Sequence, residues 1–518
     1  MSVFKWIGGL VGIRDSTTSN ELVITATGAA KTDGSDVTQP ISASSLPLPT
    51  GAATENTLAT IDSVLDSIKD TDGVKKITEA LPAGENIVGR VRVVGDAFNT
   101  TDNVQIVQPN GAAVVNIEDG PSRDAFGRLR VSTTINLFEY KSSIGIDNET
   151  WDRTQTTGGT VTYNSTTREV DMAVTGTSGS LARRQTRRYF NYQPGKSMLN
   201  IFTFVYGAAV ANVRRRCGWF DTNNGLFFEQ NGTTDIAFVV RTNRTGSPVD
   251  TRVTQTNWNV DKLDGTGSSG LTLDLSKSQI LVIDLQYLGV GRVRFGFDID
   301  GILFWCHEVR NANSIIGAYM TRAKLPHRYE IESTAASAGA SMIQICSTSI
   351  LESGGPETFY TTRAVDTGSS GRSINNSTFT PVVAVRLKST QIRQTVSFDS
   401  FSVLCTTADN ILVRIIRIDT EAGFNLGGGA GSLTGGSWVS HSPESFLEYN
   451  IGATAFTGGV IHLSKVAAKR IAESGDEIRK IEAIGATIAG VSEIVLIAML
   501  SLSNNADVHV SLNMSEVR

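Results

Sequence analysis

The chain has 518 residues, of which 40% are hydrophobic and 19% charged, with 50 glycines and a net charge of −5. At about 150 residues per domain this length implies three or four units, and low charge with abundant Gly, Thr, Ser and Val points to β architecture rich in tight turns. The acidic balance provides no overall basic footprint for nucleic acid, and no apolar run reaches the length of about 18 residues that a membrane-spanning helix needs.

Residues 1–135 differ from the rest. Their aromatics are Phe4, Trp6, Phe98 and Phe126, and the first tyrosine is Tyr140. Residues 1–130 carry 11 basic against 16 acidic side chains, which accounts for the whole net charge. Such a stretch buries little apolar surface against its ordering entropy. It is expected to be an extended arm that docks on other proteins, with Phe4 and Trp6 among its anchors. The apolar opening at residues 1–11 is too short for a signal-peptide core with a cleavage site. One short helix is expected in the arm: Thr54 or Thr57 can cap it, and Leu58, Ile61, Leu65 and Ile68 share one face, with Asp62, Asp66 and Lys69 opposite. A short three-chain bundle and a lone amphipathic helix on the arm's own strands both fit this pattern. Short strands with glycine stops follow at 88–93, 112–117 and 129–131.

Residues 136–355 read as one large β domain, a sandwich or jelly roll. The run Arg292-Val293-Arg294-Phe295-Gly296-Phe297-Asp298-Ile299 alternates polar and apolar side chains. Asp300-Gly301 then predicts a type I′ hairpin turn, and residues 302–306 predict the returning strand. Residues 280–285 predict the preceding strand, and Asn224-Gly225 marks a second hairpin. Residues 356–378 are polar and rich in Gly and Ser, and predict a linker. Residues 379–518 predict a second β-sandwich, with strands at 382–387, 396–404, 411–418, 494–502 and 508–512. Residues 465–483 fit either helix or strand. The cysteines Cys217, Cys306, Cys346 and Cys405 lie at least 40 residues apart. They predict buried free thiols rather than a disulfide framework or zinc site, which suits assembly in a reducing cytoplasm.

Several segments resemble virion structural proteins of tailed phages. Asp124-Ala125-Phe126-Gly127-Arg128-Leu129-Arg130-Val131-Ser132 is similar to a junction element recurring in that family. Leu81-Pro82-Ala83-Gly84-Glu85-Asn86-Ile87-Val88-Gly89 resembles a second such element. Residues 192–196, 218–221, 291–296 and 306–308 resemble signatures of the family's large β domains. Residues 508–516 resemble a common ending, although Met514 stands where an aromatic is usual. The resemblance covers about residues 48–350 and, more loosely, the C-terminus. It implies a virion protein of the fibre, spike or decoration type, assembled in the host cytoplasm and forming a homotrimer. Its implied partners are capsid, portal, tail or baseplate proteins. On the residues themselves, Phe126 is a bulky anchor at the junction. Arg128 and Arg130 share one strand face and can pair with the acidic arm of a neighbouring subunit.

Catalytic spacing is not evident. The histidines His307, His327, His441, His462 and His509 show neither HxH nor HExxH spacing. Residues 298–301 and 221–225 resemble fragments of calcium loops but lack the closing Glu. The sequence contains no GxSxG or P-loop pattern, so no enzyme activity, metal or cofactor is expected. Two basic clusters, Arg183-Arg184-Gln185-Thr186-Arg187-Arg188 and Arg214-Arg215-Arg216, could contact nucleic acid. Strand alternation would instead split their side chains between two faces, and ion pairs between subunits are the expected role. Two loops are candidates for binding a host surface glycan: 257–269, with Trp258 as a stacking platform, and 427–438, with Trp438, although each tryptophan reads better as a plain core residue. A capsule-degrading depolymerase is the alternative from a different class, and would need paired carboxylates.

Overall fold

The structure is a computed structural model. It describes residues 123–517, with breaks at 127, 132, 234, 353–359, 408, 422–429 and parts of 469–482, and before residue 123 it describes only the backbone of four strands. The helix expected at Leu58, Ile61, Leu65 and Ile68 therefore lies outside the described residues, as do the strands expected at 88–93 and 112–117.

The chain divides into two units, Met1–Ala113 and Val114–Arg518. In the first, strands Phe4–Ile7, Leu10–Arg14, Glu21–Ile24 and Ala30–Thr32 form an antiparallel meander. Ile7 pairs with Leu10, and the intervening Gly8-Gly9 suits a two-residue hairpin connection. Phe4 and Trp6 thus sit on a paired strand.

The second unit holds two stacked-sheet sandwiches. In the larger one, an eight-stranded antiparallel sheet has the strand Ala340–Leu351 at its centre. That strand pairs with Met198–Val205, Glu169–Val174 and Ile135–Lys141. The facing seven-stranded sheet runs from Val249–Thr254 at one edge to Trp151–Thr156 at the other, with Val213–Phe220 and His327–Ser333 in its interior. Met198–Val205 shows strict alternation of buried and part-buried residues, the signature of a strand with one face on the core. Rings from both sheets meet between the layers, with Phe238 4.7 Å from Phe295 and Phe228 5.3 Å from Phe297 between centroids. Each buried ring contributes roughly 2–3 kcal/mol of apolar transfer energy.

The predicted hairpin is present: Val293–Ile299 pairs with Ile302–Val309. Asp300 and Gly301 both have positive φ, 55° and 82°, as a type I′ turn requires. The second hairpin turns differently. Phe220 pairs with Gly225, so Gly225 opens a strand instead of forming the turn. The loop 221–224 is shaped by the Asp221 carboxylate, which accepts the backbone N–H groups of Asn223 and Asn224 at 2.7 and 2.8 Å.

The C-terminal sandwich packs a five-stranded sheet against a six-stranded one, with a core that includes Val383, Phe398, Ile415, Ile497 and Leu512. It begins earlier than expected. Tyr360–Asp366 and Arg372–Ile374 pair with Ala506–Val517, so part of the supposed linker 356–378 belongs to the sheet. Tyr360–Asp366 is an edge strand with largely exposed side chains, and a solvated edge carries little apolar period to reveal it. In the ambiguous stretch 465–483 the described elements are strands, the end of Val460–Ala467 and Ala472–Gly475.

A buried ion cluster joins the sandwiches. Arg187, 1% exposed, extends from the larger one and lies 3.0 Å from Asp419, 3.3 Å from Glu493 and 3.7 Å from Asp152. Arg417 pairs with Glu493 from the opposite side. The Ile488 N–H donates to Asp152 at 2.7 Å, and the Ala486 N–H donates to the Arg187 carbonyl at 3.0 Å.

Candidate functional sites: a docked junction and an interdomain cleft

The junction motif folds onto the larger sandwich. Asp124 is buried, and its carboxylate accepts the N–H groups of Phe126 and Arg128 at 3.0 and 2.8 Å and the Arg128 Nε at 2.9 Å. The Arg128 guanidinium also lies 4.7 Å from the Phe126 ring centroid. A bridge from Arg123 to Leu129 closes the loop. From the sandwich, Arg292 Nε donates to the Ala125 carbonyl at 3.1 Å and Arg294 Nη2 to the Arg123 carbonyl at 2.6 Å. Arg130 pairs with the buried Asp284 at 2.7 Å and with Glu352. Burial raises the Glu352 carboxyl above its usual range, against the opposing pull of Arg130. Within this chain Arg128 pairs with Asp124, and Arg130 with Asp284 and Glu352. The partners of Arg130 come from residues far away in sequence.

The basic clusters are likewise satisfied internally. Alternation does split them. Arg183 and Arg216 reach Glu330, and Arg214 reaches Glu332 at 2.7 Å. Arg184 points to the core, where it donates to Tyr140 Oη at 3.0 Å and Gln344 Oε1 at 2.8 Å, above the Trp151 ring. Burial alone would raise the Glu330 carboxyl, but Arg216, Arg183 and Arg328 outweigh it and hold Glu330 well below the carboxylate range. These ion pairs form within one chain.

His327 is fully buried among Phe138, Phe190 and Phe202, with Nε2 2.6 Å from Ser349 Oγ. Burial lowers its pKa to about 3, so the ring is neutral. No cluster of His, Cys, Asp and Glu suited to a metal occurs among the described residues. Cys217, Cys306 and Cys405 are buried thiols and Cys346 is partly buried. No described helix is long and apolar enough to cross a membrane.

Trp258 is 3% exposed. Its ring stacks on Phe238 at 4.3 Å and its Nε1 donates to the Val253 carbonyl at 3.1 Å. It is a core residue, as the preferred reading had it, and the alternative of an exposed platform is corrected. Trp438 is partly buried under the Arg386 guanidinium, 4.1 Å from its ring centroid.

A site that the sequence does not announce lies where the sandwiches meet. A cleft of about 540 Å³ is walled by Tyr192, Tyr287 and the 321–324 segment on one side and by the 389–394 segment on the other. It gathers Arg322, Lys324 and Arg393. Asp221 accepts from Arg322 at 3.0 Å and pairs with Arg393 Nε at 3.3 Å. Lys324, 7% exposed, donates to Gln394 Oε1 at 3.2 Å.

No family model and no curated protein matches the chain. Among solved structures it is similar to a legume lectin-like domain from Entamoeba histolytica (10% identity, 43% of this chain and all of that one, TM-score 0.27). It is also similar to a glycosyl hydrolase family 16 protein from Mycobacterium smegmatis (12%, 42% and 100%, TM-score 0.30). A third is the β-glucanase of Bacillus licheniformis (12%, 41% and 96%, TM-score 0.28). These scores and identities are too low for a shared ligand or reaction to follow. What stands on the structure itself is the architecture, nearly all β and built of stacked antiparallel sheets.

Proposed function

We propose that the chain is a non-enzymatic structural protein of a tailed-phage particle. In this reading residues 1–135 anchor it to other virion proteins, and the two sandwiches project as a rigid fibre, spike or decoration module, assembled as a homotrimer. The observation that carries the reading is the docked junction. The segment that resembles a phage junction element is fastened to the base of the larger sandwich by the Arg130, Arg292 and Arg294 contacts. A load reaching the junction would pass directly into folded β structure. The Arg187 cluster extends the same stiffness into the second sandwich. Against a hydrolytic role, Glu330 and Glu332 share one strand face, yet arginines hold Glu330 ionised, which does not suit a general acid. The test is particle incorporation. Deleting residues 1–122, which keeps the docked junction, is expected to abolish it while the sandwiches stay folded, and unchanged incorporation would sink the anchoring role. Analytical ultracentrifugation of the full chain checks the trimer.

A further inference from the structure

We propose that the interdomain cleft is a binding site for an acidic saccharide, a short oligosaccharide carrying carboxylate groups. This goes beyond the structural role, since a scaffold could be built without it. The cleft falls within the range of about 300–1,000 Å³ typical of ligand pockets.

Its charge is unbalanced in a way that folding alone does not require. Arg322 and Arg393 share the single carboxylate of Asp221. Asp221 already spends its other oxygen on its own loop. Lys324 is buried, and its partner among the described residues is the neutral Gln394 side chain. An ammonium has three N–H donors, and a buried cation without an opposing charge is costly. Burial pulls the Lys324 pKa down to about 8, with no carboxylate to hold it up. An anion entering the cleft would supply the missing charge and accept the unspent donors.

The walls say what kind of anion. Tyr287 is half-buried and packs edge to face on Tyr192, centroids 5.9 Å apart, with its hydroxyl anchored on the Met320 carbonyl at 2.6 Å. A tyrosine fixed in this way offers a ring for an apolar sugar face. The Tyr192 hydroxyl is buried beside the backbone of Tyr287 and Gly195. Asn191, Thr321, Thr390 and Gln391 add neutral donors and acceptors of the kind that sugar hydroxyls use. A bare phosphate would leave the aromatic wall and most of the volume unused.

The experiment is calorimetric titration of the full chain with three probes: an oligogalacturonate trisaccharide, its neutral oligogalactose counterpart, and inorganic phosphate. Binding of the acidic trisaccharide alone supports the site. Equal binding of the neutral sugar, phosphate binding as tight as the trisaccharide's, or no binding at all overturns it. Lys324→Met is expected to weaken the acidic sugar about 10- to 100-fold, the loss of a hydrogen bond to a charged group, and Tyr287→Ala to weaken it as well. The melting temperature separates binding from folding. Removing an uncompensated buried charge should leave it unchanged or higher, whereas a lower value with unaltered affinity would show that Lys324 only joins the two sandwiches. Because the probes are free sugars, the result is independent of whether the protein sits in a particle.

Discussion

Replacing Arg187 by Met removes a guanidinium that touches carboxylates of both sandwiches. Asp152 belongs to the larger sandwich, while Asp419 and Glu493 belong to the C-terminal one. Truncating one member of a buried ion pair costs about 3–5 kcal/mol, because the other charge is left without a partner. Arg417 still holds Glu493 in the variant, so the lower end, about 3 kcal/mol, is expected. The pH dependence follows from the aspartates. Burial raises both Asp152 and Asp419 above their usual values, and Arg187 is the main force holding them down. Without it both rise further, and each can shed its buried charge by taking a proton. The cost of the substitution should therefore be largest near pH 8 and shrink toward pH 5. Urea unfolding followed by tryptophan fluorescence and circular dichroism at both pH values measures it. The variant is also expected to unfold in two separated steps as the sandwiches uncouple. A loss under about 1 kcal/mol at pH 8, or one that grows toward pH 5, would refute the reasoning.

Further outcomes can be checked in the same way. His327, neutral in the fold with a pKa near 3 against 6.5 when exposed, makes stability fall as pH drops from 6.5 toward 3, by up to about 5 kcal/mol. His327→Phe, set among three phenylalanines, should flatten that part of the acid-unfolding curve. Gly301→Val places a β-branched residue at a φ of 82° and should cost about 1–2 kcal/mol in thermal or urea unfolding. Arg130→Met leaves Asp284 with Arg294 and Ser197. It should cost about 2 kcal/mol and speed proteolytic cleavage within 114–132. Acidic-sugar binding should fall as pH rises past about 8, when Lys324 loses its proton. Arg322, Arg393, Tyr192 and Tyr287 also line the cleft, with Asp221 and Tyr189 beside its arginines, and burial raises the three tyrosines, Tyr192 to about 12.

Elements with one face on a core were legible in the sequence. Alternation located the Val293–Ile299 strand, and Asp300-Gly301 located its turn, because period and turn chemistry are local properties. Edge strands such as Tyr360–Asp366 were not legible, since a solvated strand has little apolar period. The sites were least legible of all. The partners of Arg130 lie 154 and 222 residues away, and Lys324 meets Gln394 across 70 residues. Nothing in a local window announces either meeting. Trp258 was legible as a core residue but its partner was not: its neighbours in sequence are polar, and its stacking partner Phe238 comes from the strand Asp235–Thr242.

The position of Ala340–Leu351 at the centre of its sheet also governs how the protein is made. The Thr348 hydroxyl of this strand bonds Phe138, 210 residues earlier, so the sheet cannot close until that whole interval has been synthesised. At about 5–20 residues per second this takes roughly 10–40 s. During that time Ile135–Lys141, Glu169–Val174 and Met198–Val205 lack their shared neighbour, and their edges are open to strands of other nascent chains. Slow translation prolongs this exposure, and chaperones that shield strand edges would act here, before any native surface exists.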